Sequence, residues 1–463
     1  MTGLKNVAVI DIGKTNVKLV MVDLQTMAEI CVITRPNKVL PGPPWPHFDI
    51  EGHWTFLLSG LKDFHQRFGI EAISITTHAA CVVLLDYQGQ LAAPILDYEH
   101  DELDVDTDEY NAMRPPFSET GSPRLAGGLN IGAQLHWQFK KDSKLLSRVK
   151  SIVTYPQYWA HRLTGIASVD VTSIGCHTDL WNPTEGKFSA LVNRLGIGNK
   201  MAEVRRPDDV LGPILPELAV RTGLPANTQV VCGIHDSNAS LLPHIISRSA
   251  PFSVVSTGTW VIAMAIGGNK TSLDPKCDNL INVNAFGDPV PSARFMGGRE
   301  FELIQRGARP CADDTDMQAV LEENIMLFPS VETSSGPYKG REMGWEPNEP
   351  EFASGTREVC VSFYLALMTA KCLQNIGSKG NILIEGPFAR NNYYKQMLEA
   401  VTGEFILSSA SATGTSIGAA MLLQRQPLQM FDSQPKRENT PMRDALKTYA
   451  TRWRSHVEGE NKV

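Results

Sequence analysis

The order of hydrophobic and polar positions predicts two similar openings, one in each half of the chain. VAVIDIGKTNVKLVMVD (7–23) is two apolar runs joined at a polar bend around Gly13, the pattern of a β-hairpin. FSVVSTGTWVIAMAIGG (252–268) has the same layout, with Gly258 at the bend, 245 positions later (258 − 13). A repeat of this kind predicts a duplicated architecture. Between and after the hairpins the pattern is that of α/β domains. EAISITTHAACVVLLDYQGQLA (71–92) reads as strand, turn, strand, with Gln88-Gly89 at a hairpin bend. VSFYLALMTAKCLQNIG (361–377) and NNYYKQMLEAVTG (391–403) read as helices that stop at glycines, and NILIEGP (381–387) as a buried strand. The Pro-rich VLPGPPWPHFD (39–49) reads as a loop and the acidic DYEHDELDVDTDEY (97–110) as a solvated one. The domain join is expected near Leu242–Pro251, and ALKTYATRWRSHVEG near the C-terminus as a surface helix.

Composition narrows the class. The chain has 463 residues, 42% hydrophobic and 20% charged, enough for two to four globular domains. A net charge of −7 gives no electrostatic reason to expect nucleic acid. No apolar run reaches the roughly 18 residues of a membrane span, and Asp11 interrupts the first apolar stretch at once, which reads as a strand and not a signal peptide. The eight cysteines form no CxxC pair and sit mostly in apolar runs, as reduced core thiols of a cytoplasmic protein do.

Four motifs can carry chemistry. In Asp11-Ile12-Gly13-Lys14-Thr15-Asn16, an Asp ending a buried strand can hold Mg2+, and the glycine lets backbone amides approach phosphate; an ordinary hairpin turn has the same look. Its GKT is not a phosphate-binding Walker loop, because Ala8 stands where that motif needs its first glycine. Ser256-Thr257-Gly258-Thr259-Trp260 is a second turn of small hydroxyl residues, and the two bends together predict an ATP cleft. In Gly233-Ile234-His235-Asp236-Ser237-Asn238, Asp236 follows a strand and opens a helix. It reads as a helix N-cap or as the base that takes a proton from an attacking hydroxyl, and the two roles are compatible. Glu385-Gly386-Pro387-Phe388-Ala389-Arg390-Asn391 is a strand-to-helix turn able to seat a base and ribose.

In this order the motifs resemble the FGGY family of carbohydrate kinases over roughly residues 7–425. The resemblance implies an α/β fold of two ribonuclease H-like, actin-like ATPase domains with a cleft between them: an N-terminal domain over 1–245, a C-terminal domain over 246–430 and a helical tail over 431–463. It implies transfer of the γ-phosphoryl of ATP to a hydroxyl of a ketose or polyol, with Asp236 as base and Asp11 and Asp236 as Mg2+ ligands. Asp11, Gly13, Lys14, Thr15, Asn16 and Lys18 fall on the first phosphate motif, Thr257, Gly258 and Thr259 on the second. Gly386, Pro387, Ala389 and Asn391 fall on the adenosine motif, and GTSIGAAML (414–422) on the helix closing that domain.

On the sugar side the resemblance implies His78, Asp170 and Thr172, with Trp137 of the signature helix as a stacking or a packing residue. His235 and Arg299 are further substrate-side candidates, each with a structural reading as neighbour or surface ion pair. The chain departs from the family at Lys14 (usually Thr), at Gln134 (commonly Lys), at Pro387-Phe388 (glycines) and after Asp97–Glu99, where an Arg is missing. These mark a divergent subgroup nearest the fuculose and rhamnulose kinases. The implied partners are the sugar and ATP, without nucleic acid or membrane; a homodimer is common for such folds. A chaperone- or actin-like ATPase would need an added peptide-binding or polymer-forming segment, and a sugar-responsive regulator a DNA-binding module.

Overall fold

A computed structural model describes residues 3–408, 414–424 and 441–459. The chain divides into two compact units. The first holds residues 3–248, 281–289 and 414–424, and the second holds 249–280, 290–408 and 441–459.

The first unit is built on a sheet whose central run is Ala28–Pro36, Asn16–Asp23, Asn6–Ile12, Ala72–Thr77 and Gln229–Val231. The first three are antiparallel neighbours, and the last two join in parallel. In the second unit the run is Pro289–Phe295, Val261–Ile266, Phe252–Thr257, Asn381–Glu385 and Ile406–Ser408. Here too two antiparallel pairings are followed by two parallel ones. The two hairpins thus occupy the same place in two sheets of the same order. Their bends close alike: Gly13 N–H donates to Asn16 O and Gly258 N–H to Trp260 O, each at 2.9 Å.

Strands Asn6–Ile12 and Ala72–Thr77 are buried along nearly their whole length, as parallel strands covered on both faces must be. One face packs on helix Ile50–Phe68, whose Trp54, Leu57, Leu61 and Phe64 point inward at helical spacing. The other face is covered by helix Thr415–Ala420. This segment, expected to close the adenosine domain, lies in the first unit instead. Its small residues explain the seat: a Cβ on Gly418 would come 1.7 Å from Ala239 O of helix Asp236–Ser247, and Ser74 Oγ donates to Ala419 O at 2.7 Å.

Other sequence expectations are corrected. The acidic stretch 97–110 is not a solvated loop, because Leu103 and Tyr110 anchor it in a core and Asp97 is buried. Residues 39–49 include a short antiparallel pair, Val39–Leu40 with His47–Phe48. The expected join at 242–251 is not among these: the units divide after Arg248, one residue beyond the end of helix Asp236–Ser247. The C-terminal helix, Pro441–Gly459, buries a face of Leu446, Tyr449, Trp453 and Val457 in the second unit's core. Residues 431–440 of the expected tail lie outside the described residues. Among the described residues, no helix is long and apolar enough to cross a membrane.

Candidate functional site

Three chain segments end side by side in the first unit. The register pairs Ile12 with Thr77 and Thr77 with His235. Asp11, His78 and Asp236 are therefore delivered to the carboxyl ends of adjacent parallel strands, where open α/β sheets place their ligands. His78 N–H donates to Ile12 O at 2.8 Å, which fixes the turn after the second of these strands.

The acidic groups differ sharply. Asp11 is 6% exposed, with Lys18 Nζ at 3.7 Å and Ser416 Oγ at 3.4 Å. Burial raises its pKa to about 6; Lys18 opposes this and the Asp236 charge adds to it. Asp236 begins helix Asp236–Ser247, and its side chain remains 32% exposed. Burial pushes its pKa up, but the His235 imidazole, 3.1 Å away, and the Ser237 N–H at 2.6 Å bring it below the ordinary carboxylate value. Burial opposes charge on His235, yet Cys176 and Asp236 raise its pKa well above the usual value. The arrangement offers one accessible carboxylate kept ionised beside one buried carboxylate that resists ionisation.

Asp170 and Thr172 lie behind the turn that carries His235 and Asp236. Both are fully buried, and Asp170 spends its oxygens on the N–H groups of Thr172 and Ser173 and on the Thr172 hydroxyl. Thr172 Oγ1 then accepts from His235 N–H at 3.0 Å. The pair holds the segment carrying Asp236 from behind. Trp137 is elsewhere. It meets Trp45 and His100 edge-on and lines a cavity of about 490 Å3 with Tyr110, Arg124 and His136, to which Asp11, His78 and Asp236 do not contribute.

Lys14 lies among acidic and aromatic groups. Its ammonium pairs closely with Asp97, lies 3.1 Å from Glu99 and sits over the Tyr98 ring at 4.6 Å. Tyr98, Phe48 and Tyr155 also surround His78, with ring centroids 5.0–5.3 Å apart. Burial lowers the His78 pKa, and its Nε2 is buried without a partner. Thr15 is exposed at the bend and Asn16 begins the return strand.

Sequence reasoning missed Tyr98, Phe48, Tyr155, Cys176 and Ser416. Charge complementarity between Lys14 and the acidic 97–99 stretch was a usable signal; Ser416, 405 positions from Asp11, offered none.

In the second unit, Gly258, Thr259, Arg299, Pro387 and Asn391 line one cavity of about 610 Å3 together with Phe301, Phe388 and Arg309. The turn beneath it is tightly built. A Cβ on Gly386 would fall 1.9 Å from Thr257 O, and Gly386 holds φ 83°, so only glycine fits. Thr257 Oγ1 accepts from Phe388 N–H at 3.1 Å and donates to Glu385 O. Asn391 caps the next helix through Tyr394 N–H and donates to Ser362 Oγ. Ala389 is buried behind the turn. Arg299 belongs to this cavity and not to the group around His78, and it pairs with Glu332 at 3.2 Å.

The two halves of the chain match two family models, the N-terminal domain of the FGGY family of carbohydrate kinases over residues 7–243 and the carbohydrate kinase FGGY C-terminal domain over 249–430. The chain belongs to the FGGY family. A carbohydrate kinase from Novosphingobium aromaticivorans is 33% identical, with a TM-score of 0.88 over 99% of both chains. A xylulose kinase from Lactobacillus acidophilus shares the fold, with a TM-score of 0.77 at 16% identity over 99% of both chains. Among curated FGGY relatives, an L-fuculokinase of Salmonella typhi is 24% identical over 57% of each chain. A rhamnulokinase of Bacillus subtilis (strain 168) is 25% identical over 46% of this chain and 44% of its own. The chain thus matches about half the length of these curated relatives.

Proposed function

We propose that this FGGY protein transfers the γ-phosphoryl group of ATP to a hydroxyl of a ketose or related polyol. The observation that carries the reading is Asp236: a partly exposed carboxylate, kept ionised by His235, at the head of a helix and beside a second carboxylate. Carboxyl groups whose environments move their acidities apart are the pattern of divided acid–base roles. Asp236 would accept the proton of the attacking hydroxyl, and His235 would keep it ready to do so. Ketopentoses and 6-deoxyketohexoses such as fuculose or rhamnulose are the proposed acceptors, in line with the names of the relatives. Structures sharing the fold include xylulose kinases, a gluconate kinase and a glycerol kinase, so the fold does not choose among acceptors.

The nucleotide's base and ribose are assigned to the second unit's cavity, where Phe301 and Phe388 offer apolar faces. The bends at Gly13 and Gly258 suit phosphate. Neither glycine has a positive φ, and a Cβ would meet only Asn16 O at 3.5 Å or Trp260 O at 3.9 Å, so the absent side chains leave open space above each bend. Mg2+ also fits. Among the described residues no group of three or more His, Cys, Asp or Glu is arranged for a metal, but Mg2+ needs only one or two carboxylates beside water and phosphate. Asp11 and Asp236 would hold it; when bound, it would neutralise phosphate charge.

Replacing Asp236 by Ala tests the reading. Turnover with the best sugar should fall about 10²–10⁴-fold while ATP binding, followed by calorimetry, persists. Turnover near the wild-type rate in a folded D236A protein removes Asp236 from the role.

A further inference from the structure

The strand that delivers Asp236 is interrupted by one extra residue, and a buried glutamine holds the interruption. Val230 pairs with Ile73, and Ile234 with Thr76, on strand Ala72–Thr77. Between these pairs the chain advances four residues (234 − 230) against three on its neighbour (76 − 73). One extra residue is the mark of a β-bulge, a device found beside active sites because it re-aims the side chains that follow. Without it, every position from Ile234 on would stand one place further along and turn to the opposite face.

A bulge takes backbone groups out of the ladder, and buried ones need partners elsewhere. Cys232 N–H donates to Asp209 O at 2.8 Å and Gly233 N–H to Pro207 O at 3.1 Å. The two carbonyls, Cys232 O and Gly233 O, both accept from the side-chain amide of Gln157, at 3.1 Å each. Gln157 is fully buried in the first turn of helix Tyr155–Thr164, and its Oε1 accepts from the Thr154 hydroxyl. Rotating the amide would set its oxygen against two carbonyl oxygens, so its orientation is fixed.

Gly233 completes the clamp. It holds φ 95°, and a Cβ there would come 2.9 Å from Ile75 O. Tyr155, in the same helical turn as Gln157, lies against His78 with ring centroids 5.0 Å apart. One turn of helix thus braces both His78 and the strand leading to Asp236.

We propose that Gln157 is a positioning residue: by clamping the bulge at Cys232–Gly233 it aims the Asp236 carboxylate at the attacking hydroxyl. It acts only through the strand that carries Asp236, so the inference rests on the role proposed for that carboxylate.

The test compares full-length variants with ATP and the best acceptor from a panel of ketopentoses, 6-deoxyketohexoses, polyols and glycerol. Gln157→Met keeps the bulk and removes the donor. Displacing a reacting group by about 1 Å can cost about 100-fold, so Q157M should lose roughly 10- to 100-fold in kcat while KM for ATP and acceptor stays within about threefold. In a D236A background the same substitution should change the residual rate by less than about threefold, because nothing is left to aim. Thr154→Val, which removes only the hydroxyl that orients the amide, is the milder variant. It should lose roughly three- to tenfold in kcat, with T154S within about twofold of the wild type.

A folded Q157M protein with wild-type kcat, a loss confined to KM, or an equal loss in the D236A background overturns the inference and leaves the kinase reading intact. If Q157M does not fold, T154V with wild-type kcat overturns it in the same way. D236A turning over near the wild-type rate, or a chain that phosphorylates none of the compounds, overturns the reading and the inference together.

Discussion

Asp11 shows what a buried carboxylate costs the fold that carries it. Its pKa is raised from 3.8 to about 6, so the folded chain favours the protonated form. The stability this contributes is fully present below pH 3.8 and is lost as the pH rises through about 6. Above that, the buried charge costs about 3 kcal/mol relative to a neutral group. Asp11→Asn should therefore be more stable than the wild type by an amount of that order at pH 7.5, with the gap closing towards pH 4. Urea unfolding at several pH values reads this directly, and a gap that does not change with pH refutes it.

The two hairpins make a prediction about elements. Their glycines are demanded neither by backbone conformation nor by close neighbours, unlike Gly386 or Gly418. Gly13→Ala and Gly258→Ala should keep or slightly raise the unfolding midpoint, since alanine reduces the freedom of the unfolded chain by about 0.4–1 kcal/mol. Yet kcat/KM for the nucleotide should drop by at least about tenfold if phosphate needs the open space. Loss of stability without loss of turnover would show that the bends serve the fold alone.

These hairpins were also the most legible elements in the sequence, because apolar runs around a small polar break leave few alternatives. Helices Gly355–Asn375 and Asn392–Thr402 were legible for the same reason, each followed by a glycine of positive φ. The acidic stretch misled because its charges hide two anchors, Leu103 and Tyr110. Asp170 was not legible as a helix cap, because a helix-capping carboxylate and a sugar-binding one have the same sequence signature.

At the scale of the molecule, the two sheets share one strand order, which the paired hairpins had announced. The interleaving of the units had no sequence signal, since it depends on which surface a short Gly-Ala-Ala helix covers. That helix and the residues after it pack Ile417, Ala419, Ala420, Met421 and Leu422 against Val7, Val9, Val20 and Val22. A chain cut after Arg248 should expose this face. It should bind a hydrophobic dye or aggregate, and should unfold at a lower urea concentration than the full chain. A fragment as stable as the parent would show that the helix adds little.

The bond between Ser416 and Asp11 also sets a clock for synthesis. At about 5–20 residues per second, a ribosome needs roughly 20–80 s to move from the first of these residues to the second. Throughout that interval the nascent polypeptide carries Asp11 without its Ser416 partner.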